Sequence, residues 1–214
     1  MQLALTESIF TVVVLILSII IHEVSHGWAA YSLGDPTAKL AGRLTLNPVK
    51  HIDLWGSVII PTYLVLTGAG VLFGWAKPVP YNSYNLKNQR WGETIVAVAG
   101  AASNIALAII FGLIARFAAP DPSLAVFAQL CGMVAFVNLF LGLFNLIPIP
   151  PLDGYTVLRG IVPYRLSYSL RQFEERIRSL GTAGLFGILL LFVLFLSTPF
   201  YGLVSWVFSL LVGQ

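Results

Sequence analysis

Two histidines and a glutamate stand together early in the chain, as His22-Glu23-Val24-Ser25-His26, inside an apolar segment. Residues four positions apart lie on one face of an α-helix, so His22 and His26 can bind one metal ion from the same side. At about 100° per residue, Glu23 lies within about a quarter turn of both, beside the open position of that metal. Two imidazoles suit zinc, and a carboxylate beside a zinc-bound water is the arrangement of a metal-assisted hydrolase.

The apolar surroundings of this motif strengthen the prediction of a functional site. Ser18, His22, Ser25 and His26 form a polar stripe on a helix that is otherwise apolar. Ionisable side chains within a membrane-spanning run are costly unless they have partners and face protein or water. The alternative is a helix end whose polar residues merely reach the membrane interface.

The composition is that of an integral membrane protein. The 214 residues are 57% hydrophobic and 10% charged, whereas a soluble domain carries about 25% charged residues. The length suits one membrane domain over residues 1–214, without an appended soluble domain. We expect the N-terminus to be a retained helix rather than a removed signal peptide, because no basic residue precedes its apolar run.

The apolar runs predict an all-α polytopic membrane protein with a three-helix catalytic core. Its spans are residues 5–33, 91–117 and 123–147. Residues 54–75 are also apolar, but their glycines and Pro61 favour a re-entrant or extended segment, and short strands are predicted near Leu44 and Val79.

Beyond the core, which covers residues 5–160, the chain predicts a basic segment and further membrane helices. Residues 159–180 are basic and amphipathic, which is typical of an interfacial helix that meets lipid headgroups. One or two C-terminal helices lie in residues 181–212. There we expect a span before the break at Ser197-Thr198-Pro199 and a shorter surface or kinked segment after it.

A third metal ligand has two candidates. Three prolines, at positions 148, 150 and 151, end the third span and impose an extended chain that holds Asp153 at the membrane boundary. Asp153 is the best candidate carboxylate for the open ligand position. His51 is the alternative candidate for the third ligand. The other interpretation of His51 is a hydrogen-bonding role at the membrane interface. Cys131 is the single cysteine, so an internal disulfide and a cysteine ligand set are excluded. Asn104, in a run of small residues, is expected to have a polar partner.

The combination of the His22–His26 motif, the small-residue run that ends at Asn104, and the stretch from Asn145 to Gly154 resembles the site-2 protease family of intramembrane zinc metalloproteases. Leu46-Asn47-Pro48, His51-Ile52-Asp53 and the stretch from Phe73 to Pro80 are similar to its small prokaryotic branch, which has no PDZ or CBS domain. One departure is Ala101, where the family usually has a proline. The helix start that this proline would mark is therefore not predicted from this sequence.

The resemblance implies one Zn²⁺ per chain, bound by His22, His26 and Asp153. It also implies that Glu23 activates a water and that Asn145 positions the substrate backbone or the oxyanion. The implied function is an endopeptidase that cuts membrane-protein substrates within or next to their transmembrane segments. Its partners are then the substrate and the lipid bilayer. Alternatives are a catalytically silent membrane binding protein of the same fold and a metal transporter, although no second copy of the ligand set supports transport.

The basic residues predict the orientation of the chain in the membrane. The net charge of +3 comes from short loops between apolar runs, a pattern that sets topology and does not indicate nucleic-acid binding. If residues 54–75 do not cross, eleven of the twelve basic residues share one side, which is then cytoplasmic; only Arg116 lies opposite. We therefore expect a multi-pass protein of a prokaryotic cell membrane, with its active site toward the cytoplasm. The eleven are Lys39, Arg43, Lys50, Lys77, Lys87, Arg90, Arg159, Arg165, Arg171, Arg176 and Arg178.

Overall fold

Long apolar helices carry the residues singled out above. The structure, a computed structural model, describes residues 2–60, 62–63 and 76–213. Helix α1 spans Gln2–Ser32, the one-turn α2 spans Thr37–Leu40, α3 spans Gln89–Ala118 and α4 spans Ala125–Asn145. Helices α1, α3 and α4 lie within two or three residues of the predicted spans and pack against one another.

Local sequence explains where these helices begin and end. Asn88 precedes α3, and its side chain accepts a hydrogen bond from Trp91 N at 3.1 Å, which caps the first turn. Helix α3 then continues through Ala101, which is fully buried, so the expected disturbance of the helix start at this position is absent. Alanine carries a backbone N–H and therefore does not interrupt a helix as proline does.

Helices α1 and α4 run in the same direction. At one end of the pair, Gln129 Nε2 donates to Glu7 Oε1 at 3.1 Å. At the other end, His22 lies 3.1 Å from Asp153, which follows α4 in the chain. Two helices that share both ends in this order must be parallel.

Helix α3 is antiparallel to α1. Its early residue Val96 contacts His26, and its later residue Asn104 contacts Ser18. The two ends of the connection between them also meet, because Lys87 N donates to Leu33 O at 3.0 Å. The chain therefore leaves α1 and enters α3 at the same end of the bundle.

Four described helical stretches are long and apolar enough to cross a membrane. They are Thr6–Ser32, Trp91–Ala118, Pro122–Asn145 and Phe192–Val212. This multi-span pattern confirms the prediction of an all-α polytopic membrane protein.

The C-terminal third departs from the predicted pattern. After α4 come α5 (Asp153–Ile161), α6 (Tyr164–Ser179), α7 (Thr182–Leu191), a π-helical turn (Phe192–Leu196) and α8 (Ser197–Val212). The membrane-length stretch thus passes through Ser197-Thr198-Pro199 and continues after it, whereas we expected a span before this break and a shorter segment after it. Pro199 lies in the first turn of α8, where a missing N–H is tolerated.

The predicted strands near Leu44 and Val79 are not seen among the described residues. The chain around Leu44 forms a turn and bends before a 3₁₀ turn at Pro48–Lys50, and residues 76–82 have no regular secondary structure. Proline fixes its own φ and disfavours a helical backbone in the residue before it, so Pro78 and Pro80 keep this stretch extended. Pro78 and Pro80 have no N–H, so this stretch cannot complete a ladder of hydrogen bonds. Most of the segment 54–75, predicted to be re-entrant, lies outside the described residues; its first part is a π-helical turn at Leu54–Ile59.

Candidate metal centre

Three side chains from α1 and the start of α5 meet in one buried cluster. His22 Nε2 and His26 Nε2 are 3.0 Å apart. Oδ2 of Asp153 lies 3.1 Å from the first of these atoms and 3.3 Å from the second. Asp153 Oδ2 is itself buried without a hydrogen-bond partner among the described residues. The structure thus brings together the two histidines of the motif and the carboxylate predicted to complete it.

The outer nitrogens of both imidazoles are fixed by neighbouring helices. His26 Nδ1 donates to the Val96 carbonyl at 2.6 Å. His22 Nδ1 lies 2.8 Å from Asn104 Oδ1, and the amide nitrogen of Asn104 donates to Ser18 O and to Asn138 Oδ1 at 3.2 and 2.9 Å. Because that nitrogen is committed to acceptors, Asn104 Oδ1 accepts from His22. Both Nε2 atoms therefore face the cluster as lone pairs.

Helix α3 approaches the two imidazoles closely because Gly100 faces them. A Cβ placed at this position would overlap the rings of both His22 and His26. Glycine is therefore needed here for close approach, and the small-residue run seen in the sequence forms one wall of the cluster.

Asp153 reaches the cluster at the end of a tight turn. The chain from Pro148 to Leu152 forms bends and turns with a cis bond between Pro150 and Pro151, and Asp153 is the first residue of α5. The prediction that Asp153 stands on a non-helical arm is thus wrong in detail, because the prolines end α4 and a new helix starts directly after them.

Gly154 allows this turn to fold back on the end of α4. A Cβ on Gly154 would collide with the backbone of Leu146 and Ile147. The Asp-Gly pair is therefore more than a turn signal: its glycine makes room for the backbone that holds the carboxylate in place.

An ion-pair network fixes the helix that carries Asp153. Arg159, two turns further along α5, pairs with Glu93 of α3 and with Glu174 of α6, each at 3.3 Å. These three side chains are largely buried, and Arg171 adds a second pair to Glu93 at 3.1 Å. Helix α5 is thereby held against α3, and α6 is attached through the same charges.

Glu23 projects from the same helix as the histidines and is half-buried. Its Oε2 accepts a hydrogen bond from Val79 N at 2.9 Å, a contact between residues 56 positions apart. The described extended stretch 76–82 thus lies against the glutamate of the motif. The Val79 N–H is the one backbone N–H of residues 78–80, because Pro78 and Pro80 have none.

Asp35, just after α1, anchors the far end of this stretch. The fully buried carboxylate accepts hydrogen bonds from Thr37, from Asn82 N at 2.6 Å and from Asn85 Nδ2 at 2.8 Å. Burial alone raises the pKa of a carboxyl group, but these hydrogen bonds stabilise the charged form and leave the pKa of Asp35 below its ordinary value.

The two remaining predicted site residues lie outside the cluster. His51, the alternative third ligand, is fully buried, and its Nε2 donates to Thr45 O at 2.7 Å. The one group of metal-ligating side chains within the described chain consists of the two motif histidines and Asp153. Asn145 is the last residue of α4, and its amide donates to Leu141 O at 3.0 Å.

Two supporting groups had no clear signal in the sequence. Asn138 extends the chain of hydrogen bonds from His22 through Asn104, yet one asparagine in an apolar run resembles any tolerated polar residue. The carbonyl of Val96 orients His26, and a backbone group leaves no trace in residue type. The one available signal for Asn138 is that it lies on the same helix face as other buried residues of α4.

The donor set fits a zinc ion. Three lone-pair atoms without a hydrogen between them repel each other unless a cation joins them. Tetrahedral zinc with bonds of 2.0–2.2 Å places its ligand atoms about 3.3 Å apart, close to the 3.0–3.3 Å separations of the cluster. Two neutral imidazoles with hydrogen-bonded Nδ1 atoms and one carboxylate are typical of a zinc site that keeps a position open.

Comparisons with known proteins agree with this chemistry. A family model described as peptidase family M50 matches residues 10–120 and 119–192. The chain is 38% identical over 203 residues to YwhC of Bacillus subtilis, covering 92% of this chain and 84% of that protein. It is 33% identical over 199 residues to Rip2 of Mycobacterium tuberculosis H37Rv, covering 91% and 71%. Both relatives are named as candidate zinc metalloproteases. No solved structure matches the chain.

Proposed function

Because this chain belongs to peptidase family M50, the family of site-2 proteases, we propose that it is a zinc-dependent endopeptidase that cuts membrane proteins within or next to their transmembrane segments. The observation that carries this proposal is the buried convergence of His22, His26 and Asp153 with Glu23 on the adjoining helix face. The buried setting on membrane-length helices supports a substrate that is itself in the membrane.

His22, His26 and Asp153 would hold the ion. When bound, zinc would lower the pKa of a water molecule to about 7 and polarise the carbonyl group of the peptide bond that is cleaved. Asn104 and Val96 keep the two imidazoles in the tautomer that presents Nε2. Glu23 accepts the proton of the attacking water and passes it to the nitrogen of the leaving amine. The Glu23 side chain thus serves first as base and then as acid.

The extended stretch 76–82 supports a binding mode for the substrate. A transmembrane helix must unwind locally before its carbonyls can be attacked, because its backbone is internally hydrogen-bonded. Unwound substrate can lie alongside an extended stretch and exchange backbone hydrogen bonds with it. Since Pro78 and Pro80 have no N–H and Val79 N is bonded to Glu23, the substrate supplies the donors, and the carbonyls of Val79 and Pro80 are the proposed acceptors.

Asn145 is proposed to bind the substrate backbone or the developing oxyanion. It is the last residue of α4, eight residues before Asp153. The hydrogen bond from its side-chain amide to Leu141 O uses one of the two N–H groups of that amide. A rotation of this half-buried side chain would direct the amide toward the cluster.

We also propose that the site faces the cytoplasm of a prokaryotic cell. Helices α1 and α3 meet at one end through Leu33 and Lys87, which favours a connection that returns to the side it left. With that topology, the orientation follows the basic residues of the short loops. The bacterial origin of the two relatives described above supports a prokaryotic membrane.

Purified protein in proteoliposomes, with zinc and a set of fluorescently tagged single-span membrane proteins, tests the proposed activity. We expect cleavage within or beside the transmembrane segment, mapped by mass spectrometry of the products. It should stop when a chelator is added and should be absent in the Glu23→Gln variant. The variant should also retain bound substrate, which crosslinking would detect. Equal cleavage by wild type and Glu23→Gln would contradict the proposal.

A further inference from the structure

The contact between Glu23 and Val79 depends on residues that lie outside the metal cluster. Arg43, in the turn after α2, directs its Nη2 atom at two consecutive carbonyls, Lys77 O at 2.7 Å and Pro78 O at 3.1 Å. The next residue along the chain is Val79, whose N–H bonds to Glu23. One guanidinium thus binds the peptide unit 77–78 and the peptide unit 78–79, and the second of these contains the N–H that donates to the motif glutamate.

A second contact supports the same stretch from its other side. Lys77 N donates to the backbone carbonyl of His51 at 2.8 Å. His51 is itself held by its bond to Thr45 O and is completely buried. The peptide at Lys77 therefore has both its N–H and its carbonyl bound by the loop 43–51.

We propose that Arg43 is a positioning residue for Glu23, which acts through the backbone of Lys77, Pro78 and Val79. The proposal rests on the proposed function, in which Glu23 is the base. A carboxylate on a flexible side chain has several rotamers, and a bond of 2.9 Å from a fixed backbone N–H selects one of them. Arginine suits this task, because its planar group offers several donors in fixed directions, whereas lysine is a point charge.

Steady-state kinetics on a cleaved single-span substrate tests the first consequence. In Arg43→Gln we expect kcat to fall at least about tenfold, because small displacements of a general base are costly. KM and zinc content should stay as in wild type. Arg43→Lys should recover part of the loss. Lys50→Gln is the matched control, since Lys50 is an exposed basic residue of the same loop.

Amide hydrogen exchange tests the contact itself and needs no activity. Because prolines flank Val79, a peptide over residues 76–82 contains only four exchanging backbone amides after its N-terminal residue, those of Lys77, Val79, Tyr81 and Asn82, and Val79 is followed among them. Exchange there should be slow in wild type and in Lys50→Gln, and faster in both Arg43→Gln and Glu23→Ala. This measurement also separates the two proposals, because slow exchange in wild type can be observed even if no substrate is cleaved.

Two results would overturn the positioning role. The first is unchanged exchange at Val79 together with a wild-type kcat in Arg43→Gln. The second is an increase in kcat in Arg43→Gln, which would mean that the contact restrains Glu23 instead of preparing it. If Arg43→Gln aggregates, the comparison of Arg43→Lys with Lys50→Gln decides between the same outcomes.

Discussion

His22 Nδ1 lies 2.8 Å from Oδ1 of Asn104, an amide that is completely buried between α1, α3 and α4. This contact determines which imidazole nitrogen faces Asp153. Its consequence is measurable, because partners of this kind typically change metal affinity by 10–100-fold.

Replacement of Asn104 by leucine should therefore lower zinc affinity by about 10–100-fold. Titration of the apo-protein with zinc in the presence of a competing chelator measures it. Equal zinc affinity in wild type and Asn104→Leu would show that the ring orientation is set by other groups.

The roles of Glu23 and of the three cluster residues separate when metal content and cleavage are measured together. His22→Ala, His26→Ala and Asp153→Ala should each reduce zinc below one per chain, because each removes a ligand. Glu23→Gln should retain zinc and lose cleavage, because it removes the base alone. His51→Ala is the control for the alternative third ligand and should retain zinc. Full zinc in Asp153→Ala, measured by elemental analysis, would assign that position to another residue.

Asn145→Ala tests the proposed substrate contact. Loss of one donor to a developing oxyanion costs about 10²-fold in kcat, while zinc content should not change. Gln129→Ala, at the opposite end of α4, provides the control for general damage to this helix. If Asn145→Ala aggregates or loses zinc, its amide is needed for the end of α4 and not for the substrate.

Gly154→Ala should displace Asp153. The added Cβ would collide with the backbone of Leu146 and Ile147, and overpacking of this kind costs about 1–3 kcal/mol or more. We expect a lower midpoint of thermal unfolding and reduced zinc binding. Gly202→Ala is the matched control, because a Cβ there meets no atom within 4 Å. Wild-type zinc affinity in Gly154→Ala would show that the turn can adjust without moving the carboxylate.

Single cysteines in a Cys131→Ser background test the topology. Lys50 and Tyr84 are exposed on either side of the segment 54–75, and Ala119 is exposed in the turn between α3 and α4. A membrane-impermeant thiol reagent should label the first two from the cytoplasmic side and the third from outside. Labelling of Lys50→Cys and Tyr84→Cys from opposite sides would mean that residues 54–75 cross the membrane.

The sequence predicted the cluster because each member had its own physical signal. The four-residue spacing of His22 and His26 fixes their common face, and the prolines before Asp153 fix the end of α4. Asn104 was expected to have a polar partner, and the structure confirms this with His22 and Asn138.

The remaining features depend on contacts between distant segments. The hydrogen bond from Val79 N to Glu23 joins residues far apart in the chain, and the types of the two residues do not predict it. Near Leu44 the sequence suggested a short strand, but a strand needs a partner, and prolines prevent residues 76–82 from being one. At Pro199 the sequence suggested a break, because a proline inside a helix usually interrupts it. The structure places this proline in the first turn of α8, a position that composition alone does not reveal.

The order of the ligands along the chain has a consequence for the synthesis of the protein. His22 and His26 enter the membrane with α1, but Gly100 of α3 forms a wall of their cluster and Asp153 follows α4. A chain made from its N-terminus therefore carries an incomplete ligand set until three helices have been inserted and packed. The proposed metal site, and any cleavage that depends on it, thus forms only when the assembly of the chain is nearly finished.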